Sequence, residues 1–281
     1  MSVKFFGQFL VLEGAITAGE LRSAVDLSES ENMLIGELAT EAKLISEEQA
    51  LELNRQQLRK DKPFGELAIA EGLLTEDQLN GLLKKQGEMR LRLGEACVRL
   101  GYLDQTSINE LLRKFHEDQA PYSVNEVDLP GDLSGNLAAA FVLNFFPRMT
   151  MRVSRIHVKV SPLPDDGLPD QPHKASIELQ GERGLKIMLG AGDDYASKLL
   201  TGMHRIMGGD APGETEVEAA DLQDILGSFL DIVAGNALEV LAADGVKLEV
   251  SPTELGGEVQ SGISFQIVTT HGSPTLTLAP L

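Results

Sequence analysis

A repeat of 29 residues in the first part of the chain constrains its fold more than any other sequence feature. Four glycines are spaced 29 positions apart, and residues that favour helix N-termini recur at the same interval. The glycines are Gly7, Gly36, Gly65 and Gly94, and the capping positions are Thr17, Ser46, Thr75 and Asp104. In three copies Glu or Gln follows the capping residue three positions later, which is the capping box that starts a helix. The sequence therefore predicts four copies of one helical unit.

Each copy is predicted to be a hairpin of two helices. In the third copy a short helix begins at Phe64 and is ended by Gly72, and a second helix covers residues 75–86 with leucines on its inner face. One such hairpin is too small to bury its apolar stripe, so we expect neighbouring copies to pack together. The sequence thus predicts an all-α helix-turn-helix repeat domain over residues 1–119.

The repeats resemble a known ligand-binding domain. The fourth copy contains Arg92-Leu93-Gly94 followed by Gly101, and spaced leucines with a closing Gln occur in the second and third copies. This pattern resembles the MshEN domain, the N-terminal domain of type II secretion and pilus ATPases, whose tandem motifs bind cyclic di-GMP. The candidate cyclic di-GMP-binding residues that the resemblance implies are Arg92, Leu93, Gly94, Gly101, Gly65, Gly72 and Gln86.

The motif arginine is present in one copy only. Its counterparts elsewhere are Phe5, Leu34 and Pro63, and the closing position is Gln57 and Gln86 in two copies but Ser28 and Phe115 in the others. An arginine fork grips phosphate and stacks on bases, so its loss weakens the case for a nucleotide. Two interpretations stay open: the repeats bind cyclic di-GMP, or their glycines and leucines pack the hairpins and leave acidic outer faces for protein contacts. We favour the second.

Composition limits the remaining function classes. A length of 281 residues suggests two domains. The 24 Lys and Arg against 43 Asp and Glu give a net charge of −19, which would repel a phosphate backbone, so no nucleic-acid partner is expected. No unbroken apolar run approaches the roughly 20 residues of a membrane helix, so no membrane insertion is expected. The single cysteine, Cys97, and a poor signal-peptide pattern predict a cytoplasmic location.

The second half is predicted to be a separate domain. Residues 120–135 contain Pro and Gly with little helical pattern and predict a linker before a domain over 136–281. The predicted elements are a helix over 133–149 that Pro147 ends, a strand over 151–160, an exposed loop over 162–172, hairpin strands over 175–179 and 185–189, helices over 193–207 and 217–243, and strands over 246–250, 263–268 and 275–278. This order predicts an α+β domain with a mainly antiparallel sheet.

The helix predicted over residues 217–243 has an apolar face and a polar face. The apolar positions are Ile225, Phe229, Ile232 and Val233, and the polar positions are Asp221, Asp224, Ser228 and Asp231. A polar stripe of this kind is usually a solvated face. A resemblance gives this stripe a second interpretation. The signature of CheX-like chemotaxis phosphatases is similar to residues 230–237, Leu241 and residues 245–250, and the resemblance covers about residues 130–281.

The CheX-like resemblance implies a specific motif on this helix. The family removes phosphate from the phospho-aspartate of the response regulator CheY through Glu-x-x-Asn, in which the carboxylate pairs with a lysine of the regulator and the amide orients the attacking water. The Glu position is Ser228 here and the Asn position is Asp231. Asp224, one turn before Ser228, is the candidate replacement for the carboxylate.

These departures favour binding over catalysis. We expect a signalling protein of a chemotaxis or motility pathway whose CheX-like domain binds a response-regulator receiver domain or another motility protein, with a homodimer as the natural assembly. The alternatives are an active phosphatase, with Mg²⁺ involved only if it acts on a phosphorylated receiver, and a cyclic di-GMP receptor. No cofactor is expected. The five histidines lack metal-ligand spacing, so no metal site is expected.

Overall fold

A computed structural model describes residues 4–119, 129, 131–162, 170–209, 217–257 and 262–281. The described residues form two compact units. One contains residues 4–57 and 62–119, and the other contains residues 58–61 and the described residues from 129 onward. We call them the helical unit and the mixed unit. Most of the predicted linker, residues 120–128 and 130, lies outside the described residues.

The helical unit alternates short and long helices. The helices are α1 (Phe6–Leu12), α2 (Ala18–Glu31), α3 (Ile35–Glu41), α4 (Glu47–Arg59), α5 (Phe64–Ala70), α6 (Glu76–Met89), α7 (Leu93–Arg99) and α8 (Gln105–Gln119). Each of the four short helices has seven residues, and their first residues lie 29 positions apart. Each short helix and the long helix that follows it form one hairpin.

The predicted capping boxes are confirmed. The Thr17 hydroxyl accepts from the backbone N–H of Glu20, and the Glu20 carboxylate accepts from the N–H of Thr17. The same reciprocal pair forms between Ser46 and Gln49 and between Thr75 and Gln78. These bonds satisfy backbone donors that the first turn of a helix leaves without partners.

The helical unit has two hydrophobic clusters rather than one. Leu38, Leu53, Leu67 and Leu82 belong to a cluster of the second and third hairpins. A separate cluster joins the first and fourth hairpins and includes Leu10, Ile16, Ala24, Ala96, Cys97 and Ile108. The expectation that each hairpin packs on its neighbour in sequence is therefore met by the second and third hairpins, whereas the first packs on the fourth.

The mixed unit contains three long helices and one sheet. Its elements are α9 (Leu137–Ser154), β1 (Lys159–Pro162), β2 (His173–Gly181), β3 (Leu185–Ala191), α10 (Asp193–Met207), α11 (Ala219–Ala243), β4 (Leu248–Val250), β5 (Glu254–Leu255), β6 (Ile263–Val268) and β7 (Thr275–Pro280). The strands are ordered β1-β6-β7-β3-β2-β4, β5 also pairs with β2, and every pairing is antiparallel. The predicted α+β class with an antiparallel sheet is confirmed.

One face of the sheet packs against α11. Ile177, Ile187 and Leu278 stand opposite one another on β2, β3 and β7, and all three are buried. They share a core with Phe229 of α11 and Phe146 of α9, whose rings meet edge to face with centroids 5.4 Å apart. Burial of this apolar stripe fixes which side of α11 faces the sheet, and it leaves the opposite side free to form a site.

Two predictions around residue 150 are wrong. Pro147 lies inside α9 instead of ending it, and residues 151–154, predicted to begin a strand, form the last turn of that helix. Phe146, Met149 and Val153 are fully buried, so the apolar face runs unbroken past the proline. Burial of this face outweighs the roughly 3 kcal/mol penalty of an internal proline. The helix ends where Arg155 adopts a left-handed conformation, with φ of 61°.

Candidate functional site

The polar stripe of α11 lies on the side that faces away from the sheet. Asp221, Asp224, Ser228 and Asp231 are all exposed. Ile225, Phe229 and Val233 are buried, as predicted, and Ile232 is half-buried at the border between the two faces. The steps of three and four residues between the exposed positions align them along nearly three turns of helix.

Asp231 is held by a residue that the sequence analysis missed. The hydroxyl of Thr253, in the segment between β4 and β5, donates a hydrogen bond to the Asp231 carboxylate. This contact fixes one carboxylate oxygen of Asp231. Thr253 lies 22 positions further along the chain and belongs to no motif. No local signal in the sequence pointed to this partner.

Gly227 explains how the segment carrying Thr253 reaches α11. A Cβ atom at position 227 would lie 3.0 Å from Leu255 Cδ2 and 3.2 Å from Thr253 Cγ2. Glycine is the residue that permits such a close approach of another segment to a helix. The outer face of α11 is thus bordered by residues 253–255 beside Asp231.

The chemistry of the stripe differs from that of Glu-x-x-Asn. Ser228 carries no charge, so it cannot form an ion pair with a lysine. The ionised carboxylate of Asp231 only accepts hydrogen bonds, and it lacks the N–H donor of an asparagine amide. Asp224 and Asp231 together present two exposed carboxylates to a partner. The arrangement suits binding of a cation or a basic side chain better than positioning of water beside an anionic phosphoryl group.

The seven candidate nucleotide-binding residues divide between two hairpins, and the four glycines among them have structural uses. Gly65 and Gly94 allow close approach of side chains, since a Cβ at these positions would lie 2.6 Å from Leu79 Cδ1 and 3.1 Å from Ile108 Cγ2. Gly72 and Gly101 end α5 and α7 with φ of 69° and 77°, in the left-handed region that favours glycine.

The remaining candidates are anchored within the helical unit. The Gln86 amide donates to the carbonyl oxygen of Met33 at 2.9 Å, which ties the third hairpin to the second. Arg92 is the N-cap of α7, where its backbone N–H donates to Glu95 and its side chain is exposed. Leu93 is half-buried against the cluster of the first and fourth hairpins.

The closing Gln position has a recurring structural use. Gln57 donates to the carbonyl oxygen of Lys62 at 2.9 Å, just as Gln86 donates to that of Met33. In the first copy Ser28 occupies this position, and its hydroxyl donates to Leu91 at 2.8 Å. The three acceptors precede α5, α3 and α7, so this position anchors the start of a short helix in each case.

The described residues contain no cluster of three or more His, Cys, Asp or Glu side chains that would hold a metal ion. Cys97 is buried in the helical unit. Among the described helices, α11 alone is long and apolar enough to cross a membrane, and 56% of its most apolar window is buried inside the protein. The core helix of a globular domain satisfies the same criteria, so this is weak evidence for a membrane span.

No family model and no curated protein sequence matches the chain. Among solved structures it is similar to the chemotaxis protein CheX of Desulfovibrio desulfuricans, with 13% identity over 51% of this chain and 99% of that one and a TM-score of 0.41. CheX of Vibrio vulnificus shares 15% identity over 52% and 98% of the two chains, with a TM-score of 0.39. A CheX-CheY-BeF3-Mg complex of Borrelia burgdorferi matches with 12% identity over 52% and 98%, with a TM-score of 0.38. These similarities concern the fold and span about half of this chain.

Proposed function

We propose that this chain is a signalling protein of a chemotaxis or motility pathway that binds the receiver domain of a response regulator without hydrolysing its phospho-aspartate. The observation that carries the proposal is the exposed stripe of Asp224, Ser228 and Asp231 on α11. These residues lie at and beside the positions of the CheX-like motif. The helix that bears them packs on an antiparallel sheet as the resemblance implies.

The residues favour binding because their charges suit the basic part of a receiver's phosphorylation site. In the motif that the stripe resembles, a carboxylate pairs with a lysine of the regulator. Asp224 and Asp231 both offer an exposed carboxylate for that role. A pair of this kind at a protein surface contributes up to about 1 kcal/mol, so two carboxylates help to select a basic partner.

The same residues argue against hydrolysis. An attacking water needs a group that orients it in line with phosphorus, and the phosphoryl oxygens are already negative. Asp231 adds a further negative charge at the position where the motif has a neutral amide donor. Because Thr253 already donates to Asp231, one of its two carboxylate oxygens is engaged.

The decisive experiment measures binding and dephosphorylation together. The affinity of the full chain for a CheY-type receiver is determined by isothermal titration calorimetry, and loss of phosphate from the phosphorylated receiver is followed with and without the chain. We expect binding that Asp231→Ala weakens and that Asp77→Ala, the same change at an exposed position of α6, leaves unchanged. Accelerated phosphate loss that Asp231→Ala abolishes would instead establish the phosphatase alternative.

We also propose that residues 1–119 are a module of four repeats joined through residues 120–135 to a CheX-like domain over 136–281. The anchoring of Gln86 to Met33 and the packing at Gly65 and Gly94 support a structural use of the repeat motif. Cyclic di-GMP is the alternative ligand of this module. If it binds, Arg92→Ala should abolish the calorimetric signal of cyclic di-GMP, whereas unchanged affinity in that variant would exclude the motif as its site.

The proposal includes a cytoplasmic location and a homodimer. The fully buried thiol of Cys97 fits a reducing compartment. Sedimentation equilibrium of the full chain tests the assembly, and a monomer at all concentrations would exclude the dimer.

A further inference from the structure

The C-terminal half of α11 lines a groove that the site described above does not use. Gly235, Leu238 and Ala242 form its helix side, and Val246 and Leu248, where the chain enters β4, form the opposite side. The groove has a volume of about 580 Å³. That volume lies within the range of roughly 300–1,000 Å³ that small-molecule pockets occupy.

Gly235 creates the open space over the helix. It is exposed, and a Cβ atom built on it would meet nothing within 4 Å. A glycine inside a helix costs about 0.5–1 kcal/mol relative to alanine, and no close packing compensates for that cost here. This contrasts with Gly227, where the segment that carries Thr253 uses the space.

The groove continues the polar stripe along the same face of α11. Ser228, Asp231 and Gly235 are separated by steps of three and four residues, which places them one above another. The helix side then runs from Gly235 to Ala242, about 10 Å at the rise of an α-helix. Two turns of a partner helix, with apolar anchors at i, i+3 and i+7, match this length.

The charges around the groove select a basic partner. Glu239 and Lys247 are the charged residues of the lining, and both are exposed. Asp231 and Asp244, also exposed, precede or flank the lining residues along the chain. Three acidic groups against one lysine complement an amphipathic helix whose apolar row is bordered by Lys or Arg.

We propose that the receiver domain that contacts the stripe also seats a basic amphipathic helix in this groove, with aliphatic side chains over Gly235 and cationic ones against Asp231 and Glu239. This inference rests on the proposed function, and it names the element of the partner that provides apolar contact. The stripe then supplies charge recognition, and the groove supplies the buried anchor that dominates affinity in protein interfaces.

Filling the groove tests the proposal. Gly235→Leu places a side chain in the open space, and Gly81→Leu makes the same change on α6, where a Cβ also meets nothing within 4 Å. Isothermal titration calorimetry against a CheY-type receiver should show about tenfold weaker binding for Gly235→Leu, equivalent to 1.4 kcal/mol, and no change for Gly81→Leu. Equal affinity of Gly235→Leu and the unaltered chain would overturn the groove while leaving the proposed function standing.

A receiver-independent probe separates failure of the groove from failure of the proposed function. The probe is a fluorescent peptide of about 18 residues with leucines at i, i+3, i+4 and i+7 and lysines elsewhere, and its control carries glutamates in place of the lysines. We expect the lysine peptide to bind by fluorescence anisotropy, Gly235→Leu to weaken it about tenfold, and the glutamate peptide not to bind. If the chain binds no receiver, the proposed function fails, and the peptide alone tests whether the groove is a docking site. The groove proposal is overturned if the lysine peptide does not bind, or if it binds equally well to Gly235→Leu.

Discussion

Lys43 occupies the left-handed backbone position that Gly72 occupies 29 residues later. Lys43 follows α3 with φ of 56°, and Gly72 follows α5 with φ of 69°. Both residues donate their N–H to the carbonyl three positions back, and the next residue donates five positions back, from Leu44 to Ala39 and from Leu73 to Ala68. This is the Schellman ending of a helix, and Lys43 adopts it without the conformational freedom of glycine.

Replacing Lys43 should therefore stabilise the protein. Lys43→Gly removes the strain of a side chain in the left-handed region and should raise the free energy of unfolding by about 1 kcal/mol. Gly72→Ala introduces the same strain and should lower it by a similar amount. Urea denaturation of both variants measures the two changes, and a destabilised Lys43→Gly variant would contradict this account of the turn.

Three helix glycines, Gly81 and Gly235 exposed and Gly227 buried, should respond differently to alanine. Gly81→Ala and Gly235→Ala add a Cβ in open space and should each stabilise the protein by about 0.5–1 kcal/mol through helix propensity. Gly227→Ala places its Cβ 3.0 Å from Leu255 Cδ2, and this tight contact should cancel the stability gained from helix propensity. Urea unfolding of the three variants is the measurement, and an equal gain at all three positions would mean that residues 253–255 do not press on α11.

Gln86 should contribute to stability rather than to nucleotide binding. Gln86→Ala removes the hydrogen bond to the Met33 carbonyl and should lower the free energy of unfolding by about 1 kcal/mol. Lys84→Ala, an exposed change on the same helix, should stay within about 0.5 kcal/mol of the unaltered chain. Thermal or urea unfolding of the two variants measures the difference. Equal stability of Gln86→Ala and Lys84→Ala would contradict a structural role for Gln86.

Cys97 should make stability fall at alkaline pH. Burial raises the pKa of its thiol above the usual value near 8.5, with the Glu20 charge adding to the effect. Because the folded-state pKa is the higher one, this contribution to stability is complete below about pH 8.5 and is lost as the pH rises toward the folded-state pKa. Urea unfolding should show a larger loss of stability between pH 7 and pH 9.5 for the unaltered chain than for Cys97→Ala. Parallel pH profiles of the two proteins would refute this role of Cys97.

Introducing the Glu-x-x-Asn motif into α11 should give the chain phosphatase activity. The double variant Ser228→Glu and Asp231→Asn supplies a carboxylate and an amide at the positions of Glu-x-x-Asn on an exposed helix face. We expect it to accelerate phosphate loss from a phosphorylated CheY-type receiver by roughly a hundredfold over the unaltered chain, the low end of the effect of one positioned catalytic group. Asp231→Asn alone, which lacks the carboxylate partner, is the control. No acceleration in the double variant would mean that the receiver does not reach this face.

Local patterns in the sequence were sufficient where neighbouring residues control the backbone. The helix Asp193–Met207 and the strand Ile263–Val268 match their predicted bounds, and the three capping boxes form as predicted. Pro147 failed as a helix stop because the burial of Phe146, Met149 and Val153 is a tertiary effect that outweighs a local penalty.

The sequence by itself determined the helical repeat, its caps and the two faces of α11, because spacings of three, four and 29 residues express periodic structure directly. Only the tertiary structure decided that the first hairpin packs on the fourth and that Thr253 reaches Asp231. Contacts between distant residues depend on which apolar surfaces fit together in the folded chain. No periodicity records that fit, so the partner of Asp231 and the groove beside Gly235 emerge only from packing.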